Sequence, residues 1–284
     1  MEQTVTTPSN YPDWVLESPS GMHQNAEIAW GVLGTAERMA EFGRLMDEAK
    51  AAAVTEKEKT RIEVFDKEIW SYMVAGRELY ASQESIPRPT AQVPYLATES
   101  AGDSLKVDWS QATALAPWVT ASGVATDHEL QGRIAHDGKW LYLQLVDVVD
   151  PKLLTINRDT LAVGDDWEIF WAGQRAKPYY QLLIGPAGAN VLLLHDALGT
   201  HEHETETYEG GGVHVHSDTS ADDRWVTHVA IPLSTMLPGG VKRGDMVYMN
   251  IFRASRVKGT KSQYWSATFG GPHQLRRMGE ITLE

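Results

Sequence analysis

The 284-residue sequence contains no cysteine, which excludes disulfide staples, thiolate nucleophiles and Cys-ligated metals. It also lacks any apolar run near the roughly 20 residues that span a bilayer. Its opening, MEQTVTTPSNYPDW, shows neither the basic nor the apolar region of a signal peptide. Positive charge is scarce: 25 Lys and Arg against 38 Asp and Glu leave a formal net charge of −13. That balance argues against nucleic acid or an anionic membrane as partner and suits neutral or cationic ligands. Among catalytic signatures, no Gly-x-Ser-x-Gly elbow, P-loop, His-Glu-x-x-His or dinucleotide fingerprint occurs. Phenylalanine is sparse, with 5 residues, whereas Trp and Tyr each number 10. Those two side chains join a flat apolar face to a polar edge, as interfaces and sugar sites require.

The first part of the chain reads as helix. Ile28, Val32, Met39, Phe42 and Met46 recur at spacings of three, four or seven across 25–53, marking one helix face. Thr55 with Glu58 three residues later is a capping box, and Ile62, Phe65, Ile69, Met73 and Leu79/Tyr80 continue a second stripe to about 82. Two such helices make an antiparallel hairpin that cannot enclose a core alone. SIPRPTAQVPYLATESAGDS follows, with prolines at 87, 89 and 94, and reads as an extended linker over 84–103.

Beyond this point the hydrophobic period changes to two. Candidate strands cover 105–107, 130–136, 140–146, 167–172, 180–185, 190–195, 212–216, 225–231, 246–253, 263–267 and 279–283. His-Asp-Gly-Lys at 136–139, Gly-Pro-Ala-Gly at 185–188 and Pro-Gly-Gly at 238–240 are among the turns between them. Many short strands over 104–284 predict an all-β sandwich, jelly-roll-like and antiparallel, behind an N-terminal α-helical hairpin at 1–83.

Within that pattern GDDWEIFWAG, 164–173, poses a question of faces. Alternation puts Asp165, Trp167, Ile169 and Trp171 on one side and Asp166, Glu168 and Phe170 on the other. The Trp-Ile-Trp side is the more apolar and reads as inter-sheet core. Glu168 then points to the opposite surface, where a carboxylate beside Phe170 can accept bonds from sugar hydroxyls or pair with an arginine.

The series IAHDGKWLYLQLVDVVDP, GDDWEIFWAG, YYQLLIGPAGANV, DDRWVTHVAIPLSTM, MNIFRAS and YWSATFGGPHQLRRMGEITL resembles family 9 carbohydrate-binding modules over about 103–284. The resemblance implies a β-sandwich that binds sugar on one sheet, often with structural calcium. It carries the family's hydrogen-bonding glutamate onto Glu168 and its asparagine and arginine onto Asn250 and Arg253. At the positions of the family's two clamp tryptophans stand Thr160-Leu161-Ala162 and His273. Trp265, Tyr179 and Trp140 are the remaining stacking candidates, each equally readable as core. The helical stretch AERMAEFGRLMDEAKAAAVTEKEKTRIEVFDKEIWSYMVAGRELY resembles the tail of large glycosidase-like proteins of unknown function. That implies the C-terminal portion of an extracytoplasmic, multidomain polysaccharide-acting protein with an adjacent catalytic domain.

Three further groups carry chemistry. Asp147, Asp150, Asp165 and Asp166 bracket a loop and offer oxygens to Ca²⁺, although turn capping accounts for the same residues. His201, His203, His214 and His216 lie in a stretch without Lys or Arg and present imidazole pairs for a transition metal. Arg253, Arg256, Lys258, Lys261, Arg276 and Arg277 form a basic group suited to acidic sugars or simply to solvent. A glycosidase needs two carboxylates about 5–10 Å apart, and the sequence nominates no partner for Glu168. The expectation is a non-catalytic carbohydrate-binding module. The alternatives are a docking module that has lost sugar binding and packs on a catalytic domain, and a metal-dependent enzyme using the His-rich loop.

Overall fold

The computed structural model describes residues 26–98, 100–195, 205–208, 211–237, 239–240 and 242–284. They divide into two compact units, one helical and one built of β-sheet, with the boundary between Pro87 and Arg88.

In the helical unit a π-helical segment, Glu27–Leu33, precedes α1 (Ala36–Ala52). One continuous first helix was the expectation; Gly34 and Thr35 interrupt it. A Cβ at Gly34 would sit 2.8 Å from the Ala29 carbonyl oxygen and 2.9 Å from the Trp30 ring, so the chain turns there on glycine. Thr35 then caps α1 by accepting from the Arg38 amide. Thr55 and Glu58 form the expected capping box of α2 (Glu56–Phe65), which runs through a π-segment, Asp66–Trp70, into α3 (Ser71–Glu84). The two arms are antiparallel. Lys50 pairs with Asp66 at 2.9 Å near the turn, and the Arg77 guanidinium donates to the Trp30 carbonyl, also at 2.9 Å, far from it. The second stripe is only partly covered: Tyr80 is buried, but Phe65, Ile69, Tyr72 and Leu79 are exposed.

The β unit is a sandwich. Its larger sheet has the order β1-β13-β11-β5-β6-β7-β8, with β12 paired to β11; the smaller has the order β2-β3-β4-β10-β9. In sequence these are β1 (Thr90–Val93), β2 (Thr113–Leu115), β3 (Leu130–His136), β4 (Trp140–Asp147), β5 (Asp166–Ala172), β6 (Tyr179–Ile184), β7 (Asn190–His195), β8 (Thr205–Thr207), β9 (His214–Asp218), β10 (Trp225–Pro232), β11 (Met246–Ala254), β12 (Gln263–Tyr264) and β13 (Gly279–Leu283). All named pairings are antiparallel except β1 with β13, which is parallel.

Two expectations need correcting. The stretch 84–103 is not linker throughout, because Thr90–Val93 between its prolines forms an edge strand on β13 and buries Ala91 and Val93. Residues 105–107 are no strand; Ser104–Lys106 is a 3₁₀ turn capped by the Asp103 carboxylate, which accepts from the Leu105 amide. Leu141, Leu143 and Leu145 on β4 face Trp167, Ile169 and Trp171 on β5, with Trp225, Val229 and Ile231 of β10 completing the core. The tryptophans of GDDWEIFWAG are therefore interior, Trp167 and Trp171 fully so, as alternation required.

Candidate functional site

Because β5 buries Trp167, Ile169 and Trp171 inward, its other face carries Asp166, Glu168 and Phe170 outward. Register extends that face. Phe170 lies opposite Asn250 on β11 and Gln181 on β6, and Glu168 lies opposite Phe252 and Leu183. On β6 and β7, Tyr179 pairs with His195. A second apolar cluster of Phe170, Ala172, Tyr179 and Met278, flanked by Tyr248, Phe252 and Leu275, covers part of this outer face. Glu168 is therefore directed away from the inter-sheet core but sheltered, only 6% exposed.

A hydrogen-bonded row crosses the face. The Gln181 side-chain amide donates to Glu168 Oε2 at 2.6 Å, and His195 Nε2 donates to Gln181 Oε1 at 2.8 Å. The amide fixes the order of donors: with its nitrogen on the carboxylate, its oxygen must accept from the imidazole. Tyr179 stacks on His195 with centroids 4.4 Å apart, and its hydroxyl is 2.8 Å from His273 Nδ1. On the other side of Glu168, Phe252 and Tyr264 stack at 4.3 Å. The result is a carboxylate and an amide between two stacked ring pairs.

Electrostatics follow from shelter. Burial raises the Glu168 pKa to about 7, against the lowering effects of the Gln181 hydrogen bond and the Arg256 charge. Asp166 is pushed to about 8, first by burial and then by Glu168, with Arg253 and Arg256 opposing. Burial, with the neighbouring His273 and Lys177, depresses His195 to about 4, so that imidazole stays neutral. His273 is lowered by burial as well.

The structure sorts the residues expected at the site. Glu168, Tyr179 and His273 come together on the outer face. Asn250 shares that face, but its side chain is committed to the main chain of Ser266, donating to its oxygen at 3.0 Å and accepting from its nitrogen at 2.9 Å. Arg253 lies on the inner face, 1% exposed, with Nε on Asp147 at 2.7 Å and Nη2 on Asp165 at 2.9 Å. Trp265 belongs to the inter-sheet core. Trp140 is on the smaller sheet, its ring tilted by 33° against His214 at 4.8 Å and remote in topology from Glu168.

The four aspartates expected around calcium are not gathered. Asp147 and Asp165 hold Arg253, whose guanidinium takes the place a cation needs; Asp165 also accepts from the Thr155 and Arg256 amides. Asp150 caps a 3₁₀ turn at the Lys152 amide, and Asp166 faces the other side of the sheet. That donor set does not fit a calcium ion. Of the histidines, His201 and His203 fall outside the described residues. His214 donates through Nδ1 to the Gly102 carbonyl, and His216 lies across from His228. No group of three potential metal ligands occurs among the described residues. Nor is any described helix long and apolar enough to cross a membrane.

No family model and no curated protein matches the sequence. Solved structures do. A candidate carbohydrate-binding protein from Bacteroides uniformis ATCC 8492 superposes with a TM-score of 0.54 at 16% identity, covering 70% of this chain and 100% of that one. A family 9 carbohydrate-binding module from Caldicellulosiruptor kristjanssonii, solved with cellotriose, gives a TM-score of 0.50 at 13% identity over 69% of this chain and 94% of its own. The sandwich has the family 9 module fold. The resemblance in the six motifs thus holds at the level of architecture. Gln181 and His195 were not foreseen as members of the site; Asp166 was placed on the Glu168 face by alternation but expected with the calcium group. Parity and the Gly-Pro-Ala-Gly turn contained the signal: closing that hairpin at Ile184 and Asn190 places His195 opposite Tyr179 and one step diagonal from Gln181.

Proposed function

We propose that the chain is a non-catalytic carbohydrate-binding module of a larger, extracytoplasmic polysaccharide-acting protein, with its sugar site on the outer face of the larger sheet. The observation that carries this reading is the Glu168–Gln181–His195 row set between the Tyr179/His195 and Phe252/Tyr264 stacks. Carboxylate and amide groups at fixed spacing orient hydroxyls, while flat rings meet the apolar faces of a pyranose. Without the two clamp tryptophans, hydrogen bonding supplies more of the discrimination than stacking does. Calorimetric titration with soluble glycans and pull-down on insoluble polysaccharides test it. Glu168→Ala and Gln181→Ala should each weaken binding about 10- to 100-fold, the equivalent of one charge-assisted hydrogen bond. A module that binds no glycan, or binds equally well after both substitutions, removes the reading.

A docking role is favoured by one separate observation: the exposed Phe65, Ile69, Tyr72 and Leu79 on the second helical arm. It predicts concentration-dependent self-association of the chain in sedimentation velocity. A strict monomer that binds glycan excludes it.

A further inference from the structure

The smaller sheet carries a cavity that the Glu168 face does not use. It measures about 300 Å³ and is lined by residues 101–105 and by residues 214–216 of β9. That volume lies at the lower end of small-molecule sites, about 300–1,000 Å³. Register puts His214 and His216 on the outer face of the sheet. They lie opposite Ala230 and His228, whereas Val229, between those two, belongs to the inter-sheet core.

The walls are fixed by side chains that hold the main chain of the 101–105 turn. Gly102 has a φ of +80°, and a Cβ there would stand 2.9 Å from the Trp140 ring, so glycine is what lets the turn lie against that ring. Both backbone polar groups of Gly102 are held. Its amide donates to the Tyr142 hydroxyl at 2.9 Å, and its carbonyl accepts from His214 Nδ1, also at 2.9 Å. Tyr142 in turn donates to Asp137 at 2.7 Å. These bonds tie the turn to β4 and β9 and set the shape of the cavity in advance of any ligand.

Within that frame several polar groups remain unspent. Ser104 is only 5% exposed, yet its hydroxyl has no hydrogen-bond partner among the described residues. A sheltered hydroxyl in that state is uncommon in a native fold. Asp103 gives Oδ1 to the Leu105 amide and keeps Oδ2 free, His214 keeps Nε2, and His216 has neither nitrogen committed. Leu105 adds an apolar contact, and the flat His214 ring is backed by Trp140 at 4.8 Å. No Lys or Arg lines the cavity, so nothing there meets an acidic group. Hydroxyls that both donate and accept suit this mixture of carboxylate, imidazole and serine, while the C–H face of a pyranose suits the leucine and the ring. We propose that the cavity binds one neutral pyranose unit and is a second sugar subsite, on the sheet opposite to that of Glu168. Its residues and those of the Glu168 face are separate, and neither site depends on the other.

Nuclear magnetic resonance titration of the whole, isotope-labelled chain tests this. The probes are glucose, mannose, galactose and xylose, each as the free sugar and as neutral oligosaccharides. The amide signals of Gly102 and Leu105 and the imidazole signals of His216 should shift and saturate with at least one probe. Asp103→Asn, which keeps an oxygen to cap the turn, and Ser104→Ala should each raise the Kd read at those signals about 10-fold. Glu168→Ala should leave that Kd unchanged. Melting temperatures of the variants confirm that the turn and sheet are intact. The inference is overturned if no probe moves these signals, if the shifts survive both cavity substitutions, or if Glu168→Ala abolishes them. Signals on the Glu168 face are followed in the same spectra, so loss of one site and loss of the other are read separately.

Discussion

Replacing Arg253 by alanine should destabilise the β-sandwich rather than dull a binding site. The guanidinium is 1% exposed, bonded to Asp147 and Asp165, and centred 5.0 Å from the Trp225 ring. Deleting it strands two fully buried carboxylates between the sheets. Breaking a buried pair from one side costs about 3–5 kcal/mol, because the remaining charge has lost both water and partner. Residual contacts soften this: Asp165 keeps the Thr155 amide at 2.7 Å and the Arg256 amide at 3.0 Å, and Asp147 keeps His128. For a domain of about 200 residues each kcal/mol moves the melting temperature by about 2–4 °C, so the loss should fall between about 6 and 20 °C. Arg253→Lys, which keeps the charge but cannot reach both carboxylates with a planar fork, should lie between alanine and wild type. Differential scanning calorimetry of the three proteins gives the order directly. An alanine variant melting within about 2 °C of wild type would refute the reasoning, since it would mean the pair is already hydrated or neutral.

Two further outcomes follow from the outer face. Glu168 and Asp166 have folded pKa values raised to about 7 and 8, above their unfolded values, so the folded state holds protons that the unfolded state has released. Their contribution is fully present below the unfolded pKa, near 4, and is lost as pH rises to about 8; melts in metal-free buffer should show this decline, and Asp166→Asn should flatten it. His195, depressed to about 4, acts in the opposite sense below its ordinary 6.5, so the difference between variant and wild type is the quantity to follow. Asn250→Ala strands the Ser266 amide and carbonyl and should cost about 1–3 kcal/mol by chemical denaturation, leaving glycan affinity of the folded protein unchanged. Unaltered stability with lost affinity would return Asn250 to the binding site.

Most of the sandwich was legible because its strands are amphipathic in a two-residue period. β3, β4, β7, β10, β11 and β13 fall within a residue or two of their expected limits, and Thr55 with Glu58 announced α2. What escaped lacked the local signal. Thr90–Val93 is polar on one side, four residues long and bracketed by prolines, and becomes a strand only because β13 offers it an edge. The break after Leu33 rests on a close approach between Gly34 and Trp30, a tertiary fact with no periodic signature. The turn at Ser104–Lys106 shows the converse, an apolar pair that imitates a strand until Asp103 caps it.

The site was harder because motif and parity gave different answers, and parity was the more reliable. The resemblance grouped Glu168, Asn250 and Arg253, yet Asn250 and Arg253 are three apart on β11 and a strand sends such residues to opposite faces. Applied to β11, that rule alone separates the arginine from the glutamate. It also places the arginine on the side of Asp165, an odd-numbered neighbour of Trp167 on the inner face, which is where the structure finds it. The same parity unites Asp166 with Glu168; burial raises both pKa values, and at Asp166 the neighbouring Glu168 adds to the rise. Burial is what alternation cannot supply. Whether a carboxylate on an outer face meets solvent or a covering cluster depends on segments far along the chain, here Tyr264, Leu275 and Met278. That cover separates an ordinary surface pair from two groups that titrate near neutrality, and it gives the outer face chemistry that the sequence motif did not contain.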